Sequence, residues 1–475
     1  MPDSIIKKQR PLLLSILCIV VLFHAFWSPA GNFVGTPKYW WDESFAIETA
    51  RTILEIGRID VTIAPNTPSD IAVALNANGF PLTLPLAGIF SIFGISLLVA
   101  RVYMIFWLIG ALVMLFYTIK NFFDWESAWW GTLLVATFAP FYANGKTVTG
   151  DMPGIFFFLL GILLIGMQKK YTLGGVALGL AFAAKTSLFH MVFPAIAIAL
   201  VITERYDAWK PLIRVTLGSS VVVATWLLLL LPFPYSLANL APAIEFYKHP
   251  ISKTSVLQGL PASANIFFST TILYVMLLAT IALVAFLRKP LLPKEIRIFV
   301  VFIASYTLLQ SIVFLRSPGW FRYLLGVEIL LLALLFPALI RIGSSIGASK
   351  KIITLALAAL AVFQSGHYLF FSNIFSRQNP TQVSNILNEL LVKEPGSIIG
   401  FIDAPTEAAL TPGNRKYHYL RIGGDTYAGV HPLTLPPALQ PTYIYTTNAK
   451  AAASLTESYE RITATDGVVL YRKKP

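Results

Sequence analysis

Tyr39-Trp40-Trp41-Asp42-Glu43-Ser44 places two adjacent acids behind three aromatic rings, directly after the first long apolar run. A carboxylate can take a proton, hold a hydroxyl or bind a metal, and charge at the edge of an apolar layer is costly without a partner or a use. Further along, charged residues recur at the ends of apolar runs: Lys146 and Asp151, then Lys185, then Glu245, Lys248 and His249, then Arg316 and Arg322. Lysine and arginine are the side chains that neutralise a phosphate, arginine through its forked donors and lysine as a point charge. Taken singly, each reads as a snorkelling or anchoring residue. Taken together, acids and bases at one set of run ends suggest a cavity for an anionic, lipid-linked substrate. Glu43, Asp151, Glu245 and His249 also supply hard oxygen ligands and one imidazole, which suits either a divalent metal ion or a set of salt bridges.

The elements that must position these groups are apolar helices. Of the 475 residues, 56% are hydrophobic and only 12% charged, against about 25% charged in an ordinary soluble chain. Repeated apolar runs of about 16–22 residues read as an α-helical polytopic membrane protein. The net charge of +13 is carried by small basic groups that punctuate those runs, which argues against a nucleic-acid partner. The single cysteine, Cys18, excludes an intramolecular disulfide.

Lys7, Lys8 and Arg10 precede the first run, about 11–27, and put the N-terminus in the cytoplasm. That run is longer than a signal-peptide core and reads as an uncleaved span. Residues 29–98 form a large first external loop. Within it, Glu43 to Arg51 reads as an amphipathic helix lying at the surface, and Pro81 to Gly94 as a second surface-lying helix broken by Pro85. Further spans are expected near 99–119, 127–145, 152–168, 172–184, 188–203, 211–231, 266–287, 298–315, 323–340 and 352–371, about eleven in all. Basic groups such as Lys169-Lys170, Arg288-Lys289 and Lys350-Lys351 cluster at the inferred cytoplasmic turns. Residues 1–375 are thus the membrane part. Residues 376–475 turn polar and read as a small soluble α/β domain outside the membrane. Strands are expected at Ser397–Ile402 and Thr442–Thr446, and helices at Thr381–Val392 and Ala449–Ser458.

Five short motifs occur in a fixed order along the membrane part. They are Trp41-Asp42-Glu43; Asn78-Gly79-Phe80-Pro81-Leu82, followed by Phe93-Gly94 and Ala100-Arg101; Lys146 five positions before Asp151; Lys185-Thr186-Ser187; and Arg322-Tyr323-Leu324-Leu325. Across residues 38–335 this order resembles the GT-C superfamily, in particular the branch of protein mannosyltransferase-like enzymes and lipid A aminoarabinose transferases. Two departures stand out. The basic residue that often precedes the Pro-Pro pair is missing, with Phe80 in place of the first proline. Thr186-Ser187 replaces a Gly-Pro after the lysine.

The resemblance implies a GT-C-like fold and an integral-membrane glycosyltransferase. The donor would be a polyprenyl-phosphate-linked sugar and the acceptor a lipid, glycan or protein. The active site and C-terminal domain would face the extracytoplasmic side of the cytoplasmic (inner or plasma) membrane. It assigns Asp42 to orient and deprotonate the acceptor during a direct, inverting displacement, and Asp151 to support the acceptor or a metal. Glu43, Lys146, Lys185, Arg322 and Tyr323 fall to substrate binding, with Lys146, Lys185 and Arg322 on the phosphate. A carboxylate among such cations stays ionised, so Asp42 is expected to act by position more than by basicity. The alternatives are a lipid-linked sugar flippase or transporter, which would place ionisable groups near mid-bilayer, and a non-catalytic membrane assembly factor.

Overall fold

A computed structural model describes residues 3–28, 33–69, 78–230, 269–287, 292–315, 321–372, 381–423, 426–463 and 468–475. Glu245, Lys248, His249 and Arg316 lie outside the described residues.

Within hydrocarbon a chain must satisfy its own backbone groups, so the apolar runs become helices. In order these are α1 (Asp3–Phe26), α2 (Trp41–Ile56), α3 (Phe80–Phe93), α4 (Leu97–Phe122), α5 (Trp125–Ala136), α6 (Ala139–Gly145), α7 (Asp151–Gly166), α8 (Tyr171–Ala184), α9 (Thr186–Phe189), α10 (Val192–Glu204), α11 (Trp209–Leu230), α12 (Thr270–Leu287), α13 (Lys294–Phe314), α14 (Leu325–Ile346) and α15 (Lys350–Gly366). Helix forms at each of the expected spans. Among the described residues, seven helical stretches are long and apolar enough to cross a membrane, and four shorter apolar helices accompany them. The chain is a multi-pass membrane protein.

Small residues let some of these helices touch backbone to backbone. A Cβ on Gly175 would lie 2.2 Å from the Val215 carbonyl oxygen, and one on Gly218 would lie 2.1 Å from that of Thr172. These two glycines therefore set the approach of α8 to α11, as small residues do between membrane helices, where burial from water supplies no driving force. One apolar cluster runs through the helical part, with α14 so deeply placed that Leu325 to Ala338 are all buried.

α2 begins after an extended Trp40, carries Asp42 and Glu43 in its first turn and stops at Gly57, whose φ of 73° is left-handed. Acids in a first turn suit the positive end of the helix dipole, and a left-handed glycine is a common helix stop. The expected surface-lying helix is corrected here. Glu43, Glu48, Thr49, Arg51 and Thr52 are buried, so its polar side does not face water. Arg101 covers one part of that side and the C-terminal domain covers another. After α2 come the short strands β1 (Thr62–Ala64) and β2 (Thr67–Pro68).

The C-terminal part contains α16 (Gln382–Lys393), β3 (Ile399–Ile402), α17 (Pro405–Ala408), β4 (Lys416–Gly423), β5 (Thr426–Ala428), β6 (Tyr443–Thr446), α18 (Ala449–Ser454), β7 (Tyr459–Thr463) and β8 (Val469–Lys473). The six strands form one sheet in the order β5-β4-β3-β6-β8-β7, parallel from β4 through β3 to β6 and antiparallel at both margins. Leu387 and Leu391 of α16 pack on Phe401, Tyr443 and Leu470 to make its core.

Candidate active site

Asp42 is held between two cations from distant parts of the chain. Arg322 Nη2 donates to Asp42 Oδ2 at 2.5 Å, and Lys185 Nζ lies 3.4 Å from the same oxygen. Arg322 stands in the single 3-10 turn Phe321–Leu324 that opens α14. Its guanidinium lies over the Trp40 ring at 4.7 Å and within 6.0 Å of the Tyr323 ring. Lys185 occupies the non-helical break between α8 and α9, where its backbone leaves helical geometry. Burial raises the Asp42 carboxyl, but Lys185 and Arg322 outweigh it and hold it at about 2. Lys185 is fully buried, whereas 22% of the Asp42 side chain remains exposed. The carboxylate thus has a cationic back and an open front.

Asp151 lies in the first turn of α7, 1% exposed, and neither of its carboxylate oxygens has a hydrogen-bond partner among the described residues. Its charge acts on Lys185. The backbone brings them near: a Cβ on Gly150 would lie 3.3 Å from Lys185 Cβ. The site therefore gathers Asp42, Asp151, Lys185, Arg322 and Tyr323 from four separate segments of the chain.

Glu43, the neighbour of Asp42, turns the other way. Both of its oxygens are taken by Arg101, at 2.8 Å to Nε and 3.0 Å to Nη2, in a fully buried, forked pair. Burial raises the Glu43 carboxyl while Arg101 opposes that rise. Arg101 also donates to the Val34 carbonyl. Lys146 is apart from the Asp42 cluster as well. Its Nζ donates to the Trp27 carbonyl and the Tyr368 hydroxyl, both at 3.0 Å, and sits within 6.0 Å of the Phe33 ring. Burial pushes this ammonium down to about 7.

Three contributors escape a reading by charge and depth. Trp40 acts as the face on which Arg322 rests. Arg101 buries its charge against Glu43; a lone arginine at the head of a long apolar run was the available signal. Asn78 is tied to Asp42, Lys185 and Gly150, and it stands just before Gly79 and Phe80, where the motif departs from the resemblance.

As to metal, among the described residues no group of three or more His, Cys, Asp or Glu side chains is arranged to hold an ion. Of the two proposed ligands that are described, Glu43 is engaged by Arg101, and Asp151 has both oxygens unpartnered among the described residues.

No protein-family model matches the chain, and no curated protein sequence matches it. Solved structures do. ArnT from Cupriavidus metallidurans bound to undecaprenyl phosphate superposes with a TM-score of 0.66 at 13% identity, over 98% of each chain. The oligosaccharyltransferase AglB from Archaeoglobus fulgidus, in complex with an inhibitory peptide and a dolichol-phosphate, superposes with a TM-score of 0.58 at 11% identity, over 98% of this chain and 74% of that one. A structure of the same archaeal oligosaccharyltransferase with Zn and sulfate gives 0.57 at 11% identity, over 96% and 73%. The chain shares the GT-C fold of these structures over nearly its whole length.

Proposed function

We propose that this chain is an integral-membrane glycosyltransferase that moves a sugar from a polyprenyl-phosphate donor to a lipid, glycan or protein acceptor, on the extracytoplasmic side of the cytoplasmic membrane. The observation that carries this reading is a partly exposed acid, Asp42, backed by Arg322 and buried Lys185 at the ends of apolar helices. Similar structures bound to undecaprenyl phosphate and dolichol-phosphate support the donor class.

The reaction needs little beyond placement and charge. The acceptor oxygen attacks the anomeric carbon from the face opposite the phosphate, the bond from that carbon to the phosphate oxygen breaks, and the electron pair leaves on the polyprenyl phosphate. Configuration at that carbon inverts. Arg322 and Lys185 neutralise the charge growing on the departing phosphate. Held at about 2 by its neighbours, Asp42 is a weak base toward a free hydroxyl. It accepts a hydrogen bond from the acceptor, aligns it, and takes the proton late, once bond formation has made the hydroxyl acidic. An arriving phosphate competes with Asp42 for the same cations, so donor binding turns Asp42 toward the acceptor. Asp151 supports the acceptor side. The described donors do not by themselves make a metal site, and no step here runs through a metal.

The test is transfer by the purified full-length chain in nanodiscs, using radiolabelled undecaprenyl-phosphate mannose and undecaprenyl-phosphate aminoarabinose with a membrane lipid and glycan extract as acceptor. Asp42→Asn is expected to fold normally and to lose about 10²–10⁴-fold in rate. Wild-type turnover by that variant would remove Asp42 from the mechanism. Movement of donor lipid across vesicles without transfer would favour a transporter.

A further inference from the structure

At the buried end of α8 three chain segments meet with almost no side-chain volume between them. Gly79 donates its backbone N–H to the Ala184 carbonyl at 3.2 Å. A Cβ on Gly79 would lie 1.9 Å from the Ala183 carbonyl oxygen, and one on Gly150 would lie 1.8 Å from that of Ala184. Neither position has room for any side chain. Asn78, 2% exposed, reaches from its own segment to the other two. Its Oδ1 accepts from the Gly150 N–H at 2.9 Å and from Lys185 Nζ at 3.0 Å, while its Nδ2 donates to the Asp42 backbone carbonyl at 2.9 Å.

A carboxamide is suited to this task because it offers an acceptor and a donor without charge. An acid here would compete with Asp42 for Lys185, and a base would repel it. The ammonium of Lys185 swings on four methylenes, and with Asp42 Oδ2 at 3.4 Å its shorter bond is the one to Asn78. That bond fixes where the charge stands. The Nδ2 bond to the Asp42 carbonyl fixes the first turn of α2 relative to it, and the Gly150 bond ties in the segment that leads to Asp151.

We propose that Asn78 is a positioning residue that sets Lys185 and Asp42 in register, acting on transfer through Lys185 without touching donor or acceptor. This assignment rests on the glycosyltransferase reading above. Misplacing a reacting group by about 1 Å costs on the order of 100-fold. Asn78→Ala is therefore expected to lower kcat about 10–100-fold, with the donor KM changed by less than about threefold.

The deciding experiment is a double-mutant cycle on the full-length chain, with Asn78→Ala, Lys185→Ala and the pair assayed with undecaprenyl-phosphate mannose and undecaprenyl-phosphate aminoarabinose. If Asn78 works through Lys185, the pair is as slow as Lys185→Ala alone, within about twofold. If the two losses multiply, or Asn78→Ala turns over like the wild type, the assignment is wrong. Asn78→Asp serves as the second variant where alanine does not fold. It keeps the acceptor oxygen, draws Lys185 away from Asp42, and is expected to turn over more slowly than the wild type; wild-type kcat would count against the proposal. A wild-type chain that transfers neither sugar would overturn the proposed function. In that event the cycle is read in thermal unfolding, where coupled melting shifts support the register role and additive ones refute it.

Discussion

In the proposed reaction Asp42 is the residue on which the chemistry turns, and its environment defines what each neighbour would contribute. Arg322 offers a planar fork and an aromatic rest on Trp40, and a lysine there would keep the charge but lose both. A charge-assisted hydrogen bond contributes about 1.5–3 kcal/mol, or about 10–150-fold in rate. Arg322→Lys is expected to lose that much in kcat/KM, checked by steady-state kinetics over a donor titration; unchanged kinetics would show that charge alone suffices. Much of this neighbourhood was legible in the residue types, since acids and bases stood out against an apolar background. Their pairing was not. Asp42 meets Lys185 across 143 positions and Arg322 across 280, and depth in the membrane narrows such partners without choosing among them. Lys146 shows the difference: it has the same depth signal as Lys185, yet the fold spends it on Trp27 and Tyr368. Asn78 carries no charge and gave no signal of its own beyond standing beside a departure from the motif.

Among the elements, α2 does the most. Its first turn sends Asp42 and Glu43, adjacent in sequence, to different partners because successive helical residues point about 100° apart. The Glu43–Arg101 pair, with both side chains fully buried, ties that turn to α4. Removing one member of a buried pair leaves an uncompensated charge and costs about 3–5 kcal/mol. Arg101→Ala is expected to lower the thermal midpoint in detergent accordingly, and Glu43→Gln/Arg101→Met to recover part of the loss; an Arg101→Ala protein that melts like the wild type would show the pair to be dispensable. Helix formation across the expected spans was legible because hydrocarbon leaves the backbone few choices. The burial of α2 was not. Its spacing of Glu43, Glu48 and Arg51 matches a solvent-facing stripe, and only a partner far along the chain converts that stripe into an interface.

At the scale of the whole molecule, that partner is the C-terminal sheet. Lys416 Nζ reaches Glu48 Oε1 at 2.7 Å, His418 Nδ1 lies 3.8 Å from Glu48 Oε2, and the Gly413 N–H donates to Glu55 Oε2 at 3.0 Å. Lys416 and His418 are buried residues of β4, which explains why that strand was missed: its inward face carries charge, where a sequence pattern looks for apolar residues. Burial pushes His418 down to about 4, with Glu48 opposing and Lys416 assisting. The imidazole is therefore neutral in the fold and gains a proton on unfolding wherever the pH lies between about 4 and its ordinary 6.5. Stability is complete above that window and declines as pH falls through it, by about 2 kcal/mol at pH 5. The Glu48 carboxyl, which burial raises and Lys416 pulls lower still, adds a loss of the same sign at lower pH. Melting curves from pH 7.5 to 5 should show this slope, and His418→Gln should flatten it; an equal slope in both would place the titrating group elsewhere.

The 280-residue separation of Asp42 from Arg322 also bears on how the protein is made. Insertion proceeds from the N-terminus, so the acid reaches the membrane long before its arginine has been synthesised. Until that late segment is threaded, a nascent chain holds the Asp42 carboxylate without its full complement of cations. On the proposed reading, activity is expected to switch on only after residue 322 has been synthesised, and a chain truncated before it is expected to be silent rather than sluggish.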